Sequence, residues 1–311
     1  MNVFSIAMRT RFRGITVREG VLIRGEVGWG EWSPFLDYTD PAEVRPWLAA
    51  AKESAVLGWP TPLRDRVPVN VTVPVVPPEK AQEIVRNGGC RTAKVKVGES
   101  TLAEDQARLE AVRDALGPDG RIRIDVNGLW DVDHAVEAIG LLDRAAGGLE
   151  YVEQPVASVE DLAVVRRRVD VPIAADESIR RAEDPYRVKA LEAADIAVLK
   201  VQPLGGVRAC LEIAERIGLP VVVSSALETS VGIAAGVALA AALPELPHAC
   251  GLATVQLLTD DVVVEPLLPV DGFLRVTHPV VDEVALERLA ATPDRVAHWK
   301  ARRLAVDDLG S

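Results

Sequence analysis

Charged side chains recur at the ends of five consecutive β-rich runs of the sequence, and their types suit acid–base chemistry. They are Lys96 in AKVKV, Asp125 in IRIDVN, Glu153 in LEYVEQ, Asp176 in PIAADES and Lys200 in IAVLKV. The intervals between neighbours are 29, 28, 23 and 24 residues, each about the length of one βα unit. In a parallel barrel of such units, the carboxyl ends of all strands meet at one mouth. We therefore expect these five side chains to ring that mouth.

Three of the five residues are carboxylates, which repel one another strongly unless a cation neutralises them. Ligands that are all oxygen favour a hard divalent ion, Mg²⁺ first and Mn²⁺ second. The other two residues are lysines, which act as bases only when burial or a nearby positive charge lowers their pKa. Lys94 supplies such a charge, because it shares a strand face with Lys96. A metal-bound carboxylate flanked by lysines is suited to removal of the proton α to that carboxylate.

Each part of this pattern has an ordinary structural interpretation when it is taken alone. A KxK pair is more often two solvated lysines on an edge strand, and an acid at a strand end is more often a turn residue or a helix cap. Independent solvated residues would not fall at the same strand end in five consecutive units. The stretch RIRIDVN adds weight, because strand alternation places Arg123, Asp125 and Asn127 on one face, opposite three apolar residues. We therefore favour a functional site.

The elements that must position these residues repeat from about residue 69 onward. Short β-rich runs alternate with stretches of helical period such as AEDQARLEAVRDALG and RACLEIAERIG. Eight runs are predicted as strands: 70–75, 93–97, 122–127, 149–154, 172–178, 196–201, 220–226 and 250–253. This alternation predicts an α/β fold with a TIM-like parallel barrel. A doubly wound open sheet is the alternative, and the lack of a GxGxxG fingerprint after the first strand counts against it.

The chain on either side of the barrel is predicted to form a second, smaller unit. Residues 1–68 contain a β-meander with glycine turns and then a helix in DPAEVRPWLAAAKESAVLG, which predicts an α+β domain. The barrel is assigned to residues 69–285. The chain from about residue 262 carries two strand-like pieces, DVVVEP and GFLRV, and a last helix in DEVALERLAA. The tail, about 286–311, is expected to return and complete the N-terminal domain.

Bulk properties exclude several classes of protein. The 311 residues are 49% hydrophobic and carry a formal net charge of −11. Nucleic acid and anionic membrane are therefore disfavoured as partners, whereas a small carboxylate substrate can bind at a locally positive site. Three scattered cysteines without a CxxC pair, and the lack of a signal peptide, favour a cytoplasmic protein. The longest apolar run, SVGIAAGVALAAALPEL, predicts a packed helix and no membrane span, and no feature of the sequence indicates the oligomeric state.

Five short motifs together resemble the enolase superfamily. They are KxK on the second predicted strand, DxN on the third, EQP on the fourth, DES on the fifth and a lysine before PLGG on the sixth. The two opposed lysines resemble its muconate lactonizing enzyme-like group. Mandelate racemase-like members carry a histidine on the seventh strand, which here is VVVSSALETSVG. The resemblance implies a modified (β/α)₇β barrel closed by an N-terminal α+β capping domain that the C-terminal tail completes.

Within that group the sequence most resembles the o-succinylbenzoate synthase family. The shared features are the arginine of RIRIDVNG, the stretch SSALETSVG, the stretch GWGEWSPFLDY in the capping domain, and a comparatively short chain. The resemblance implies a Mg²⁺-dependent hydro-lyase of menaquinone biosynthesis. Its reaction would be the syn dehydration of 2-succinyl-6-hydroxy-2,4-cyclohexadiene-1-carboxylate to 2-succinylbenzoate, through an enediolate that the metal stabilises.

The resemblance also implies roles for individual residues. Asp125, Glu153 and Asp176 would hold Mg²⁺, which binds the substrate carboxylate. Lys96 would remove the α-proton and return it to the departing hydroxyl, while Lys200 would stabilise the enediolate from across the ring. Five further residues are expected to have supporting roles. Lys94 would help lower the pKa of Lys96, Arg123 and Asn127 would orient the metal ligands and the substrate, and Ser224 and Gly251 would help place the succinyl arm. Loops near 10–18 and 33–40 would close over the site.

Three alternative functions can be weighed against the sequence. An N-acylamino acid racemase or a dipeptide epimerase would use the same metal and lysines. An epimerase would show a DxD motif at the eighth strand, but CGLATV has Ala253 where its last acid would fall. A barrel that has lost catalysis and serves as a scaffold is disfavoured, because all five catalytic-type positions are filled. A nucleotide-binding dehydrogenase lacks its glycine fingerprint.

Overall fold

The computed structural model describes residues 1–182 and 184–308, which form a parallel barrel and an antiparallel sheet with helices around both. The strands are β1 (Asn2–Phe12), β2 (Ile15–Arg24), β3 (Trp29–Trp32), β4 (Arg66–Pro68), β5 (Val71–Val73), β6 (Thr92–Lys96), β7 (Arg121–Asp125), β8 (Val152–Glu153), β9 (Ile173–Ala175), β10 (Ile196–Lys200), β11 (Val221–Ser224) and β12 (Phe273–Arg275).

The α-helices are α1 (Pro41–Lys52), α2 (Pro78–Gly88), α3 (Leu102–Leu116), α4 (Val132–Ala146), α5 (Val159–Arg166), α6 (Glu177–Arg180), α7 (Arg187–Ala190), α8 (Val207–Ile217), α9 (Ser230–Ala242), α10 (Glu283–Arg288) and α11 (Pro293–Asp308). A π-helical turn, Glu53–Leu57, continues α1, and a 3₁₀ turn, Ala253–Leu257, follows the last part of the barrel.

The seven strands β5 to β11 form one parallel sheet in which each strand pairs with its neighbours in sequence. Two residues close this sheet into a barrel. Cys250 pairs with Val69 ahead of β5, and Gly251 pairs with Ser224 at the end of β11. The amide of Gly251 donates to the carbonyl of Val223 at 2.8 Å, so the short eighth strand is hydrogen-bonded into the sheet. The predicted TIM-like barrel is confirmed, and the doubly wound open sheet is wrong.

The register of the barrel strands brings the candidate residues side by side. Lys96 lies opposite Asp125, and Asp125 lies opposite Glu153. Farther along the strand order, Lys200 of β10 lies opposite Ser224 of β11. Because neighbouring strands are about 4.8 Å apart, this register alone gathers the strand ends at one mouth of the barrel. Six of the predicted strands are longer than the observed ones, and β8 shrinks to two residues. The strand predicted at 93–97 keeps its length but begins one residue earlier, and the one predicted at 250–253 is reduced to the bridging residues Cys250 and Gly251.

The helices that alternate with these strands begin and end at capping residues that are visible in the sequence. Thr101 and Glu104 form a reciprocal capping box at the start of α3. Asp131 accepts a hydrogen bond from the amide of His134 at the start of α4, which ends at the left-handed Gly147. These caps fix where α3 and α4 start, and so limit the loops that follow β6 and β7.

Helix α9 contains the longest apolar run and is buried over the range Ser230–Ala241. It therefore forms part of the packed core, as its sequence predicted. Within residues 1–182 and 184–308, no helix combines the length and the apolar character needed to cross a bilayer.

The first three strands form an antiparallel sheet that packs with α1 and α11 around a second hydrophobic cluster. The centre of this cluster contains Trp299 of α11, which is fully buried with its ring centroid 5.4 Å from that of Trp32. The end of the described chain therefore packs on the N-terminal sheet. The domain bounds 1–68, 69–285 and about 286–311 stay a prediction, and residues 183 and 309–311 lie outside the described residues.

The C-terminal segment differs from its prediction. The helix expected in DEVALERLAA is confined to α10, and the longer helix α11 was not predicted. Within α11 the buried side chains include Trp299 and Val306, so it has only a weak apolar period to reveal it. DVVVEP contributes a single bridge, between Val263 and Val281, and forms no strand. GFLRV contributes β12, which pairs antiparallel with β4.

Candidate active site

Three carboxylates lie together at the carboxyl ends of three neighbouring barrel strands. Asp125 is the last residue of β7, Glu153 is the last residue of β8, and Asp176 follows β9 directly and precedes α6. Each residue is at most 2% exposed. We call these three residues the carboxylate trio. Charges this deeply buried need opposite charges beside them.

Three lysines provide those opposite charges. The Nζ atom of Lys94 is 2.9 Å from both carboxylate oxygens of Glu153 and 3.0 Å from Oδ2 of Asp125. Lys96 donates to Oδ2 of Asp125 at 2.6 Å, and Lys200 donates to Oδ2 of Asp176 at 2.6 Å. The three lysines are therefore arranged along the trio, with Lys96 at one end and Lys200 at the other.

The carboxyl groups of the trio differ in pKa. Burial raises the pKa of Glu153 to about 7, assisted by the Asp125 carboxylate and opposed by Lys94. Burial also acts to raise the pKa of Asp125, but the ammonium groups of Lys94 and Lys96 outweigh it and hold that pKa below its usual range. Burial and the neighbouring carboxylate thus disfavour the charged form of Glu153, and a cation bound among the three carboxylates would favour it.

The lysines also differ from one another. Burial lowers the pKa of Lys200, and the neighbouring Arg180 acts in the same direction against Asp176. Burial acts to lower the pKa of Lys94 as well, but Asp125 and Glu153 outweigh it and raise that pKa above its usual value. Lys94 is therefore a fixed positive charge, whereas Lys200 gives up its proton more readily.

The donor set of the trio fits a divalent metal ion. Three buried carboxylates from adjacent strands are the hard oxygen ligands that Mg²⁺ and Mn²⁺ prefer. Among residues 1–182 and 184–308, no three acidic, histidine or cysteine side chains are already arranged as a metal site. The ammonium groups of Lys94, Lys96 and Lys200 contact the trio directly. A metal ion would take up contacts that the ammonium groups make here.

Gln154 positions the third carboxylate, and the sequence analysis gave it no role. Its Oε1 atom accepts hydrogen bonds from the amides of Asp176 and Ser178, at 3.0 and 3.1 Å. Its Nε2 atom donates to the carbonyl of Val156 at 2.8 Å. The residue is fully buried with a φ of 41°, an uncommon conformation outside glycine. The glutamine of EQP therefore joins the end of β8 to the start of α6.

Arg180 is a second residue that the sequence analysis missed. Its Nε atom donates to Oδ1 of Asp176 at 2.9 Å, and its other nitrogens contact Glu177 and the hydroxyl of Tyr38. The four-residue spacing from Asp176 in DESIR was the available signal, since residues four apart meet on one helix face. Tyr38 belongs to the N-terminal unit, so this arginine also links that unit to the trio.

Four of the five residues with expected supporting roles line one cavity together with Asp125: Lys94, Asn127, Ser224 and Gly251. Glu153 and Asp176 lie beneath this lining, in contact with Lys94 and Lys200. Asn127 accepts a hydrogen bond from Lys96 through Oδ1 and donates to Glu177 through Nδ2 at 3.1 Å. It thereby fixes the direction of the Lys96 ammonium group.

Arg123 does not line this cavity, and its expected role beside the substrate is corrected. It is fully buried and donates to Glu150, to the hydroxyl of Tyr151 at 2.8 Å and to the carbonyl of Ala249 at 2.8 Å. Strand alternation correctly put Arg123 on the same face as Asp125. However, two residues along a strand span about 6.6 Å, so the arginine lies one layer deeper in the barrel.

The opposite wall of the cavity comes from the N-terminal unit. Phe12 and Arg13 come from the hairpin between β1 and β2, Phe35 follows β3, and Trp47 comes from α1. The Nζ atom of Lys96 lies 5.4 Å from the centre of the Phe12 ring, so this hairpin reaches the lysine itself. Aromatic residues over a cluster of charges limit the access of water to it.

Two known protein families match parts of this chain. Residues 78–279 match the family described as Enolase C-terminal domain-like, and residues 3–55 match the one described as Enolase N-terminal domain-like. The chain therefore belongs to the enolase superfamily.

Similar curated proteins carry one name. A protein of Thermobifida fusca named o-succinylbenzoate synthase is 66% identical over 304 residues, which cover 97% of this chain and 94% of that protein. A protein of Mycolicibacterium smegmatis with the same name is 56% identical over 96% of this chain and 92% of its own length.

Solved structures support the fold. The muconate lactonizing enzyme of Pseudomonas fluorescens, complexed with muconolactone, superposes with a TM-score of 0.80 at 24% identity, covering 93% of this chain and 97% of the other. A dipeptide epimerase of Enterococcus faecalis, complexed with Mg and the dipeptide L-Leu-L-Tyr, gives 0.75 at 24% identity, covering 90% and 96%.

Proposed function

We propose that this protein catalyses the reaction named by its curated relatives, that of an o-succinylbenzoate synthase. It would dehydrate 2-succinyl-6-hydroxy-2,4-cyclohexadiene-1-carboxylate to 2-succinylbenzoate. The observation that carries the proposal is the arrangement of two buried lysines at opposite ends of the carboxylate trio, Lys96 on Asp125 and Lys200 on Asp176. The high identity to those relatives over almost the whole chain supports the choice of reaction.

Asp125, Glu153 and Asp176 would hold a divalent ion, for which we propose Mg²⁺, with Mn²⁺ as a possible substitute. When bound, this ion would hold the substrate carboxylate and stabilise the negative charge that develops there during proton removal. The full burial of the trio supports this assignment, since charge stabilisation is strongest where water is excluded.

Lys96 is the proposed base. Its neutral amine would take the proton α to the carboxylate, and the electron pair of that C–H bond would move onto the carboxylate to give an enediolate. That pair would return to the ring as the C–O bond to the hydroxyl breaks. The resulting ammonium group would then give the same proton to the departing hydroxyl, so that water leaves and the ring becomes aromatic. Asn127 holds the Lys96 Nζ in one direction throughout. This use of one residue as base and then acid is consistent with a syn elimination.

Lys200 is proposed to stabilise the anionic intermediate from across the ring. Its ammonium group reaches the other end of the trio from Lys96, and Arg180 on the same carboxylate adds positive charge. Lys94 contributes a fixed positive charge below the substrate. The aromatic wall of Phe12 and Phe35 would keep water away from the intermediate.

A second candidate function is racemisation of an N-acylamino acid. The lowered pKa of Lys200 favours it, because a racemase needs a base on each face of its substrate. Dipeptide epimerisation has less support: Ala253 is buried at the start of the 3₁₀ turn and offers no carboxylate to a substrate ammonium group. For either activity the partner is a small carboxylate.

We further propose a cytoplasmic location and a role in menaquinone biosynthesis.

The proposed function is tested by a spectrophotometric assay of the cyclohexadiene substrate with Mg²⁺. We expect the wild type to form the aromatic product and Lys96→Ala to lose activity by a factor of about 10³ or more. Lys300→Ala, at an exposed lysine of α11, is the matched control and should retain full activity.

A different result would redirect the assignment. Absence of dehydration by the wild type, together with solvent deuterium exchange at the α-carbon of an N-succinylamino acid, would exclude the synthase reaction and establish the racemase. Exchange that survives in Lys96→Ala and disappears in Lys200→Ala would show that Lys200 is the base for one enantiomer.

A further inference from the structure

We infer that Arg13, in the hairpin between β1 and β2, binds the remote carboxylate of the succinyl arm of the substrate. The inference rests on the proposed function and adds to it a residue that selects substrates with two carboxylates. Arg13 lines the same cavity as Asp125, Lys96 and Lys200, but on the wall that comes from the N-terminal unit.

The first observation concerns the guanidinium group of Arg13. Its Nη1 atom is buried and has no hydrogen-bond partner among the described residues. A buried donor without a partner costs roughly 1–3 kcal/mol, and more when it is charged. A structure that maintains such a donor beside a cavity is suited to receiving an acceptor from the cavity, and for a guanidinium the best acceptor is a carboxylate.

The second observation is that the other cations around the cavity are engaged. Lys94, Lys96 and Lys200 each contact members of the trio, and Arg180 contacts Asp176. By contrast, the ion pair of Arg13 uses Nη2 and Asp37 at 3.2 Å, and the Asp37 side chain is 56% exposed. An exposed pair of this kind contributes little. Arg13 is thus the cavity cation with the most capacity for a substrate anion.

The third observation is that Arg13 is held in place without using Nη1. Its guanidinium carbon lies 4.1 Å from the centre of the Phe35 ring, a cation–π contact that fixes the plane of the group. The residue occupies the two-residue turn of the hairpin, where Arg13 and Gly14 both have positive φ, at 49° and 75°. This tight turn matches the twist of the two strands and gives the side chain a defined starting point.

The position of the hairpin relates Arg13 to the reacting atoms. Phe12, its neighbour in sequence, contacts Lys96 at 5.4 Å. A substrate whose ring carboxylate lies at the trio and whose α-carbon lies at Lys96 therefore has the hairpin above it. Its succinyl arm is attached to the ring carbon next to the one that carries this carboxylate. The flexible four-carbon arm therefore starts beside the trio, and its remote carboxylate would turn toward the wall that contains Arg13. The two carboxylates would then be bound by two different parts of the fold.

The experiment compares two ligands and four proteins by calorimetry in the presence of Mg²⁺. The ligands are 2-succinylbenzoate and 2-butyrylbenzoate, in which a methyl group replaces the remote carboxylate. We expect the wild type to bind the first at least about tenfold more tightly than the second. In Arg13→Gln this ratio should fall to about threefold or less, and in Arg13→Lys it should be intermediate. Arg11→Gln, at an exposed arginine on β1, should keep the wild-type ratio.

Kinetics of the same proteins distinguish binding of the arm from a general loss of structure. Arg13→Gln should raise KM for the dehydration substrate by about tenfold while kcat stays within about threefold of the wild type. An unchanged ligand ratio in Arg13→Gln would overturn the inference while leaving the proposed function intact. A wild type that neither binds 2-succinylbenzoate nor turns over the substrate would overturn both. A fall in kcat with an unchanged ligand ratio would show that Arg13 is only a structural residue of the hairpin.

Discussion

At the scale of single side chains, Gln154 connects the ends of β8 and β9. Through one amide group it accepts from the amides of Asp176 and Ser178 and donates to the carbonyl of Val156. An apolar side chain in its place would leave those buried groups unpaired. The position of Asp176 relative to Glu153 therefore depends on a residue that is proposed to touch neither metal nor substrate.

We expect Gln154→Leu to lower the free energy of unfolding by about 2–3 kcal/mol, because buried amides lose their acceptor. Mg²⁺ affinity should fall with it, since Asp176 is no longer held. Urea unfolding and calorimetric titration measure the two effects. Gln82→Leu, at a surface hydrogen bond, should change stability by less than about 0.5 kcal/mol. Unchanged Mg²⁺ affinity in Gln154→Leu would contradict the positioning role.

The sequence predicted the residues of the site that follow from strand register, and failed where tertiary packing decides. Asp125 and Lys200 could be predicted because parallel strands bring equivalent ends together. The depth of Arg123 could not, because alternation specifies a face of the strand and not a level in the barrel. Arg13 could not be predicted either, since only the packing of the N-terminal hairpin over the barrel brings it to the cavity.

At the scale of elements, β2 and β3 of the N-terminal unit are joined to the barrel by two buried charged side chains. Glu31 of β3 accepts hydrogen bonds from the amides of Thr229 and Gly232 at the start of α9, at 3.0 and 3.1 Å. Arg18 of β2 donates to the carbonyl of Leu227 at 3.0 Å. A carboxylate at a helix N-terminus is electrostatically favourable. The chain between β11 and α9, which lines the cavity, is therefore held from both ends by the N-terminal unit.

This junction should give the protein a specific dependence on pH. Burial raises the pKa of Glu31 from 4.5 to about 7, and the Glu228 carboxylate adds to the effect. An acid whose pKa is higher in the folded state contributes stability that is complete below pH 4.5 and is lost as the pH rises through about 7. We expect the stability of the wild type relative to Glu31→Gln to fall across this window. Urea unfolding at a series of pH values measures it, and a constant difference would contradict the prediction.

The closure of the barrel predicts a second effect at this scale. A Cβ atom added at Gly251 would lie 2.6 Å from Oγ of Ser224, across the contact that joins the eighth strand to β11. We expect Gly251→Ala to destabilise the protein by about 1–3 kcal/mol through overpacking. Gly140→Ala is the matched control, because its nearest neighbour would be 3.8 Å away in α4. Thermal unfolding measures both, and equal effects would show that the closure tolerates a side chain.

At the scale of the whole molecule, the barrel could be predicted because its βα units repeat with helix caps and strand runs in the expected order. The C-terminal segment could not, since charged residues interrupt the apolar pattern of α11 and the helix is stabilised by Trp299 against Trp32. A contact between residues so distant in sequence leaves no local periodicity. The chain ends therefore meet through packing that only the folded molecule specifies.

Metal binding at the trio should also stabilise the whole molecule, because a ligand that binds only the folded state stabilises it by mass action. We expect Mg²⁺ at a hundred times its dissociation constant to add about 2.7 kcal/mol to the free energy of unfolding. Chelation should remove this increment, and Asp176→Asn should abolish it. Asp119→Asn, at an exposed acid, should retain it. A melting temperature that is independent of Mg²⁺ in the wild type would contradict a metal site at the trio.

The hydrogen bonds of Arg18 to the chain after β11 bear on how this protein can be engineered. The carbonyls of Ala226 and Leu227 obtain these donors from the N-terminal unit. A barrel excised from the chain, or a chimaera that joins it to the cap of a distant relative, would lose them and with them the shape of one side of the cavity. Exchange of caps between homologues should therefore preserve activity only when the incoming cap supplies a donor to these two carbonyls.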